Sequence, residues 1–185
     1  MDELTPVRPP VTVAKPAPAA RLAARLIASL KTWPDPAGWL ASLVAGCVTL
    51  AAMGALGLST GLYSLHPANL TGLPLRLLTV AIVPALGEEA VFRGLLVPGR
   101  GETDQPGAAL ALATGVFVIW HLTEAETFLG RAAPMFERPD FLACAAVLGL
   151  GCGWIRWRTG SLWPAVGLHW TMVTIWQTWL GGFIL

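Results

Sequence analysis

The chain has 185 residues, enough for one domain, of which 55% are hydrophobic and 12% charged, and its mean hydropathy is +0.62. These values lie far from those of soluble proteins and predict a membrane protein. The formal net charge of +1, without a basic stripe along the apolar part of the chain, argues against a nucleic-acid partner. We therefore expect the partners to be lipid, peptide or protein.

The N-terminal segment precedes the apolar part of the chain. Residues 1–18 are rich in proline and predict a disordered cytoplasmic tail. Residues 19–33 place Leu22, Leu26 and Leu30 on one stripe beside basic side chains, which predicts an amphipathic helix at an anionic membrane surface. A cytoplasmic extension of the first span is the alternative interpretation.

The remaining residues, 38–185, predict one transmembrane domain. A helix needs about 20 apolar residues to cross a bilayer, and the apolar runs are separated by segments that contain glycine, proline and polar residues. The runs are 38–58, 75–98, 108–129, a shorter one at 141–157, and 162–185. The predicted fold class is all-α, a multi-pass transmembrane helical bundle of about five spans with an N-terminal amphipathic helix.

Loop charges predict the orientation of this bundle in the cell membrane. With the N-terminus inside, the cytoplasmic side collects most of the Lys and Arg residues, whereas the outer side receives Arg76, Arg131 and Arg138. Because basic residues are enriched in cytoplasmic loops, we expect a cytoplasmic N-terminus.

Ionisable residues within the spans are few, and each is costly in lipid unless it is paired or hydrated. The second span contains the stretch GEEAVFRGLL, residues 87–96, with two adjacent carboxylates and an arginine. The third span contains His121 and the fifth contains His169. At about 1.5 Å per residue, Glu88, His121 and His169 fall at similar depths, so we expect them to meet near the middle of the membrane.

Helical geometry predicts different roles for the charged residues of GEEAVFRGLL. Glu89 and Arg93 are four residues apart and lie on one helix face, where they neutralise each other, whereas Glu88 points about 100° away. Glu88 is therefore free to face a cavity and to act as a general base toward water. His121 is predicted to hold the same water from the other side.

Three further side chains are predicted to support this site. His169 supplies either a second contact to the water or a hydrogen bond to the oxyanion that forms when water attacks an amide carbonyl. Phe117, one turn before His121, is expected to shape the wall of the site. Glu124, one turn after His121, either holds the imidazole ring or faces water beyond the helix.

A metal site is an alternative for the same residues, because two histidines and one carboxylate form a known zinc set. The ligands would be Glu88, His121 and His169. The sequence lacks the HExxH arrangement that puts both histidines on one helix, although ligands from three helices remain compatible with it. We expect no cofactor, and binding of a divalent metal such as zinc is the alternative.

The ordered set of Glu88-Glu89-x-x-x-Arg93, Phe117-x-x-x-His121 and His169 on successive apolar helices resembles the CPBP family of intramembrane proteases, also called the Abi or CAAX prenyl protease 2 family. The resemblance covers roughly residue 75 to the C-terminus. It implies a membrane-embedded endopeptidase in which the first glutamate and the histidine of the second motif activate water, with the third-motif histidine assisting the oxyanion. It further implies a glutamate-dependent reaction and a peptide or membrane-protein substrate, such as a C-terminal or leader segment.

One position departs from the pattern of this family. The third motif usually reads His-x-x-x-Asn or His-x-x-x-Asp, whereas the residue four positions after His169 is Val173, which donates no hydrogen bond. Thr171, Thr174 and Gln177 are the polar residues nearby in the sequence. Loss of one oxyanion donor typically lowers a rate by about 10²- to 10³-fold.

Two other functions are compatible with the same residues. A non-catalytic membrane protein of this fold, which binds a peptide or lipid or confers immunity, would use the polar layer only to hold its helices together, and Val173 favours it. A proton-coupled transporter is disfavoured because the sequence shows no internal repeat. The leading prediction is the endopeptidase.

Overall fold

The structure is a computed structural model that describes residues 17–183. These residues form helices joined by loops. Of the tail predicted for residues 1–18, residues 1–16 lie outside the described residues. The last two residues of the fifth predicted span, 184 and 185, also lie outside them. The helices are α1 (Pro18–Lys31), α2 (Pro36–Ser59), α3 (Leu73–Val80), α4 (Gly107–Thr127), the short α5 (Ala133–Phe136), α6 (Pro139–Thr159) and α7 (Trp163–Trp179).

The helix that carries GEEAVFRGLL is longer than α3 alone. After Val80 it continues in wide π-helical turns over Ala81–Glu88 and Ala90–Leu95, and we call residues 73–95 the motif helix. Pro84 within it has no N–H to donate to an i−4 carbonyl, which accounts for a departure from α-helical hydrogen bonding there. Such wide turns occur often at functional sites. The sequence predicted an ordinary α-helix here, so this is a correction to the local geometry.

Three helices in the described part of the chain are long and apolar enough to cross a membrane, namely α2, α4 and α6. They correspond to the first, third and fourth predicted spans. The fourth is longer than predicted, because the helix begins at Pro139. The second and fifth predicted spans correspond to the motif helix and to α7, which has 17 residues. The predicted all-helical, multi-pass bundle is confirmed.

Helix α6 lies at the centre of the bundle and packs against α2, α4 and α7. Gly151 permits a close approach to α2, because a Cβ atom at this position would lie 2.3 Å from Thr49 Oγ1. The lipid-facing surface is apolar, with Leu40, Leu43 and Val48 of α2 each exposed. Threonine and serine hydroxyls within α2 donate to carbonyl groups four residues earlier, which satisfies them inside the bundle.

Helix α1 is a separate helix that docks on the motif helix, and not a continuous extension of α2. It ends at Lys31, and the next residue, Thr32, has an extended backbone. Gly94 of the motif helix leaves room for Leu26, since a Cβ atom at Gly94 would lie 2.5 Å from Leu26 Cδ1. The peptide carbonyl of Ser29, a fully buried residue, accepts a hydrogen bond from Leu162 N at 3.0 Å.

An ion pair fastens α1 to the loop that precedes α4. Arg25 Nη2 lies 2.8 Å from Glu102 Oε2, and Arg25 Nη1 also donates to the Leu95 carbonyl at 3.0 Å. Burial acts to raise the pKa of Glu102, but hydrogen bonds from Arg25 and from Gly99 N outweigh it and hold that pKa below its ordinary value. The pair therefore supports docking at neutral pH, and this support is lost as the pH falls through the lowered pKa and the carboxylate is protonated.

Candidate active site

The ion pair predicted within GEEAVFRGLL lies at the centre of the site. Arg93 Nη1 is 3.0 Å from Glu89 Oε1, and both side chains are 0% exposed. The Arg93 guanidinium also lies 4.1 Å from the centre of the Phe117 ring, so the aromatic face adds to its stabilisation. A buried charge is tolerable in the bundle only with such partners.

Glu89 has a second partner that the sequence did not predict. Its Oε1 atom lies 2.9 Å from His169 Nδ1 on α7. Because a carboxylate oxygen accepts hydrogen bonds, this contact assigns the proton of His169 to Nδ1 and leaves Nε2 directed away from Glu89. Glu89 therefore holds both Arg93 and His169, and links the motif helix to α7.

Glu88 lies on the other side of His169 from this pair. Its Oε2 atom is 3.9 Å from His169 Nε2, too far for a hydrogen bond, and the carboxylate is 13% exposed. This buried oxygen has no hydrogen-bond partner among residues 17–183. Glu88 is thus the carboxylate of the stretch that has no hydrogen-bonded partner on Oε2. A shortening of the distance between this oxygen and His169 Nε2 by about 1 Å would allow a hydrogen bond between them.

His121 is held by the backbone of its own helix. Its Nδ1 atom lies 2.8 Å from the Phe117 carbonyl oxygen, which accepts only, so Nδ1 carries the hydrogen and Nε2 is free. The ring is fixed further by the Phe136 and Phe141 rings, at 6.1 and 5.5 Å between centroids. This places a free imidazole nitrogen in a defined orientation.

Two expected roles need correction. Phe117 does not form the wall of the cavity; it is fully buried behind the site, with its ring edge-on to His121 at 4.5 Å and to His169 at 5.9 Å. Glu124 does not hold the His121 ring, because the only side-chain hydrogen bond of His121 among the described residues joins its Nδ1 atom to the Phe117 carbonyl oxygen. Instead Glu124 is half-buried and lines the same cavity as Glu88 and His121.

A cavity of about 320 Å³ joins the candidate residues. Glu88, His121 and His169 all line it, and it extends to the loop between α2 and the motif helix. Sequence reasoning missed several lining residues, because contacts between distant segments leave no local pattern. They include Tyr63, Arg76, Phe136, Phe141 and Trp176. Burial, assisted by Cys144, raises the pKa of the Tyr63 phenol, which therefore stays protonated at neutral pH.

The position that departs from the family pattern also lines the cavity. Val173 is on its wall and offers no donor. Gln177 lines the cavity as well, but its Nε2 atom donates to the Phe183 carbonyl at 3.0 Å. Thr174 Oγ1 is buried without a partner in the described chain and is not part of the wall. None of these side chains therefore replaces the missing amide at Val173 in this arrangement.

The described residues offer no ready-made metal centre. Within residues 17–183, no three His, Cys, Asp or Glu side chains are grouped so that they could hold a metal ion together. The Nδ1 atoms of His121 and His169 are engaged with Phe117 and Glu89, which leaves one nitrogen of each ring. Independence from metal remains a prediction.

The bundle and this site define a class of protein, a multi-pass membrane protein with a buried layer of ionisable groups around an internal cavity. Residues 70–175, more than half of the chain, match the family described as type II CAAX prenyl endopeptidase Rce1-like. The chain belongs to this family, and the predicted resemblance is confirmed. Searches of curated proteins and of solved structures gave no significant match.

Proposed function

We propose that the chain is a membrane endopeptidase that hydrolyses a peptide bond with water activated by Glu88 and His121. The observation that carries the proposal is the unpaired Glu88 carboxylate, which lies on one cavity with His121 Nε2 free, while its neighbour Glu89 is neutralised by Arg93. A carboxyl group with so few partners inside a bundle is costly, and its presence is explained if it accepts and returns a proton during the reaction.

The reaction begins with a water molecule between Glu88 and His121. Glu88 accepts a proton from this water, His121 Nε2 orients it, and the oxygen attacks the carbonyl carbon of the peptide bond. The proton held by Glu88 then passes to the leaving amine as the carbon–nitrogen bond breaks. Glu88 thus returns to its starting state, and no covalent intermediate is needed.

His169 stabilises the oxyanion in this proposal. With Nδ1–H donating to Glu89, the ring donates a hydrogen bond from Nε2 to the oxyanion as an imidazolium. Glu89 is then a positioning residue, because it acts through His169. Since Val173 adds no donor, His169 carries this task without an amide beside it, which predicts a slower enzyme than a relative with Asn at that position.

The substrate is a peptide or a membrane-protein segment that reaches the site from the bilayer or from one membrane face. The cavity extends away from α1, toward the loop between α2 and the motif helix. If the N-terminus lies in the cytoplasm, as the loop charges predict, the cavity extends toward the outer face of the membrane, and substrates enter from that face. The exposed apolar side chains of α2 face lipid.

The role of His121 is tested by His121→Ala. We expect kcat for peptide cleavage to fall by about 10²-fold, because the water loses its second contact while Glu88 remains. His66→Ala is the matched control, since His66 lies in a loop, is hydrogen-bonded to Ser64 and does not line the cavity. Equal kcat values for wild type and His121→Ala would contradict the assignment.

A non-catalytic protein of the same fold is the second candidate, and the observation that favours it is the apolar Val173 on the cavity wall. In that case the three ionisable side chains only bind a ligand or hold helices together. Purified wild-type protein would then cleave no peptide, whereas His121→Ala would weaken binding or stability.

Metal-dependent hydrolysis is the third candidate function, and sensitivity of cleavage to a chelator separates it from the glutamate-dependent reaction.

A further inference from the structure

A second carboxylate on the cavity wall has no place in the mechanism above. Glu124 lies on α4, three residues after His121, and lines the same cavity as Glu88 and His121. It is half-buried, and none of the ion pairs among the described residues includes it. A charge held partly out of water without an opposite charge is costly, and a cation bound beside it offsets this cost.

The arginine on the wall of this cavity does not neutralise Glu124. Arg76 Nη2 donates to the Asn69 carbonyl and lies 3.4 Å from Thr178 Oγ1, which holds the guanidinium against α7. Arg76 and Glu124 form no ion pair with each other in the described part of the chain. The wall at Glu124 is therefore open to a cation that enters with a substrate.

Glu124 lies between the catalytic residues and the loop that follows α4. His121, Glu124 and Leu129 follow one another along the chain, and all three line the cavity. The rise from His121 to Glu124 is about 4.5 Å along the helix axis. An extended peptide advances about 3.3–3.6 Å per residue. A substrate residue bound beside Glu124 is therefore one or two residues from the peptide bond that the water held by His121 attacks.

We propose that Glu124 binds a basic side chain, lysine or arginine, that lies within two residues of the cleaved bond, and so sets the sequence preference of the enzyme. This inference rests on the proposed function, since it takes the cavity to be a peptide site. A carboxylate accepts charge-assisted hydrogen bonds from ammonium and guanidinium groups, and these are about twice as strong as bonds between neutral groups. The apolar side chains of the wall, such as Leu129 and Phe141, suit the methylene stem of such a residue.

The inference is tested first on unmodified protein by changing the substrate. A peptide that the purified full chain cleaves is resynthesised with lysine, and in parallel with norleucine, at each of the two positions on either side of the cleaved bond. Norleucine has a similar apolar stem without the charge. We expect kcat/KM to be about 10-fold higher for lysine at one of these positions, the lower end of the range for a hydrogen bond to a charged group, because Glu124 is half-buried. Equal kcat/KM values at all four positions would overturn the inference and leave the proposed function intact.

Variants of Glu124 test whether this residue causes the preference. In Glu124→Gln, the ratio of kcat/KM for the lysine peptide to that for the norleucine peptide is expected to fall from about 10 to about 1. In Glu124→Lys, a peptide with glutamate at the same position should become a better substrate than the lysine peptide, because like charges now repel. The control is Glu126→Gln, which removes an exposed carboxylate outside the cavity and should keep the wild-type ratio. An equal loss of kcat/KM for both peptides in Glu124→Gln would show a merely structural role and overturn the inference.

A binding measurement keeps the inference testable if no peptide is cleaved, an outcome that would count against the proposed function alone. The N-acetylated tripeptide amide Ala-Lys-Ala is expected to raise the unfolding temperature of the wild-type protein in detergent more than the same peptide with norleucine. This difference should vanish in Glu124→Gln and persist in Glu126→Gln. Equal shifts by the two peptides in the wild type would overturn the assignment of Glu124.

Discussion

Replacing Glu88 by glutamine is expected to abolish peptide cleavage, with a fall in kcat of about 10⁴-fold, while the bundle stays folded. The amide has the shape of the carboxylate but cannot accept a proton from water, so the general base is lost. The side chain is 13% exposed and its Oε2 atom has no partner among the described residues, so no existing hydrogen bond on that atom is removed. The measurement is single-turnover cleavage of a peptide by purified protein in detergent.

The control for this experiment is Glu126→Gln, which removes an exposed carboxylate from the end of α4. It should cleave at the wild-type rate. Free energies of unfolding within about 0.5 kcal/mol of wild type are expected for both variants, because Glu126 is in none of the ion pairs of the described residues and Glu88 lies 3.9 Å from His169 Nε2, too far for a hydrogen bond. Full activity in Glu88→Gln would contradict the role of Glu88.

Removing the carboxylate of Glu89 is expected to have the largest effect on stability. In Glu89→Ala the fully buried guanidinium of Arg93 loses its only ion-pair partner in the described chain, and His169 loses the acceptor for Nδ1–H. Breaking a buried pair in this way costs about 3–5 kcal/mol, because it leaves an uncompensated charge. Reversible unfolding in detergent with increasing denaturant measures the loss.

A double variant separates the two tasks of Glu89. Glu89→Leu combined with Arg93→Met replaces the pair with apolar side chains, and we expect most of the lost stability to return. Activity should stay low, with kcat reduced and KM little changed, because His169 still lacks its acceptor. Stability of Glu89→Ala within about 1 kcal/mol of wild type, or wild-type kcat in the double variant, would contradict this account.

The sequence predicted the parts of the site that depend on the rarity of charge in lipid. Glu89 and Arg93 form the pair expected from their spacing, and Glu88, His121 and His169 line one cavity, as their similar depths suggested. These features follow from position along apolar helices and from the cost of a buried charge, both of which can be derived from a single chain. Their catalytic roles remain predictions.

The features that the sequence did not predict depend on contacts between distant segments. The hydrogen bond from His169 to Glu89 spans 80 positions, and Arg76 was counted only as a loop charge. The π-helical turns depend on how the chain around Pro84 accommodates the neighbouring helices. The docking of α1 at Gly94 likewise requires knowledge of which helix lies opposite, which no local pattern carries.

The central claim is that the chain hydrolyses peptide bonds without a metal ion, and cleavage of a peptide library by purified wild-type protein tests it most directly. The library is incubated with and without a strong chelator, and new termini are identified by mass spectrometry. The account predicts defined cleavage products in equal amounts under both conditions. No cleavage under either condition would contradict the peptidase, and loss of products with chelator would contradict the glutamate-dependent reaction in favour of a metal held by Glu88, His121 and His169.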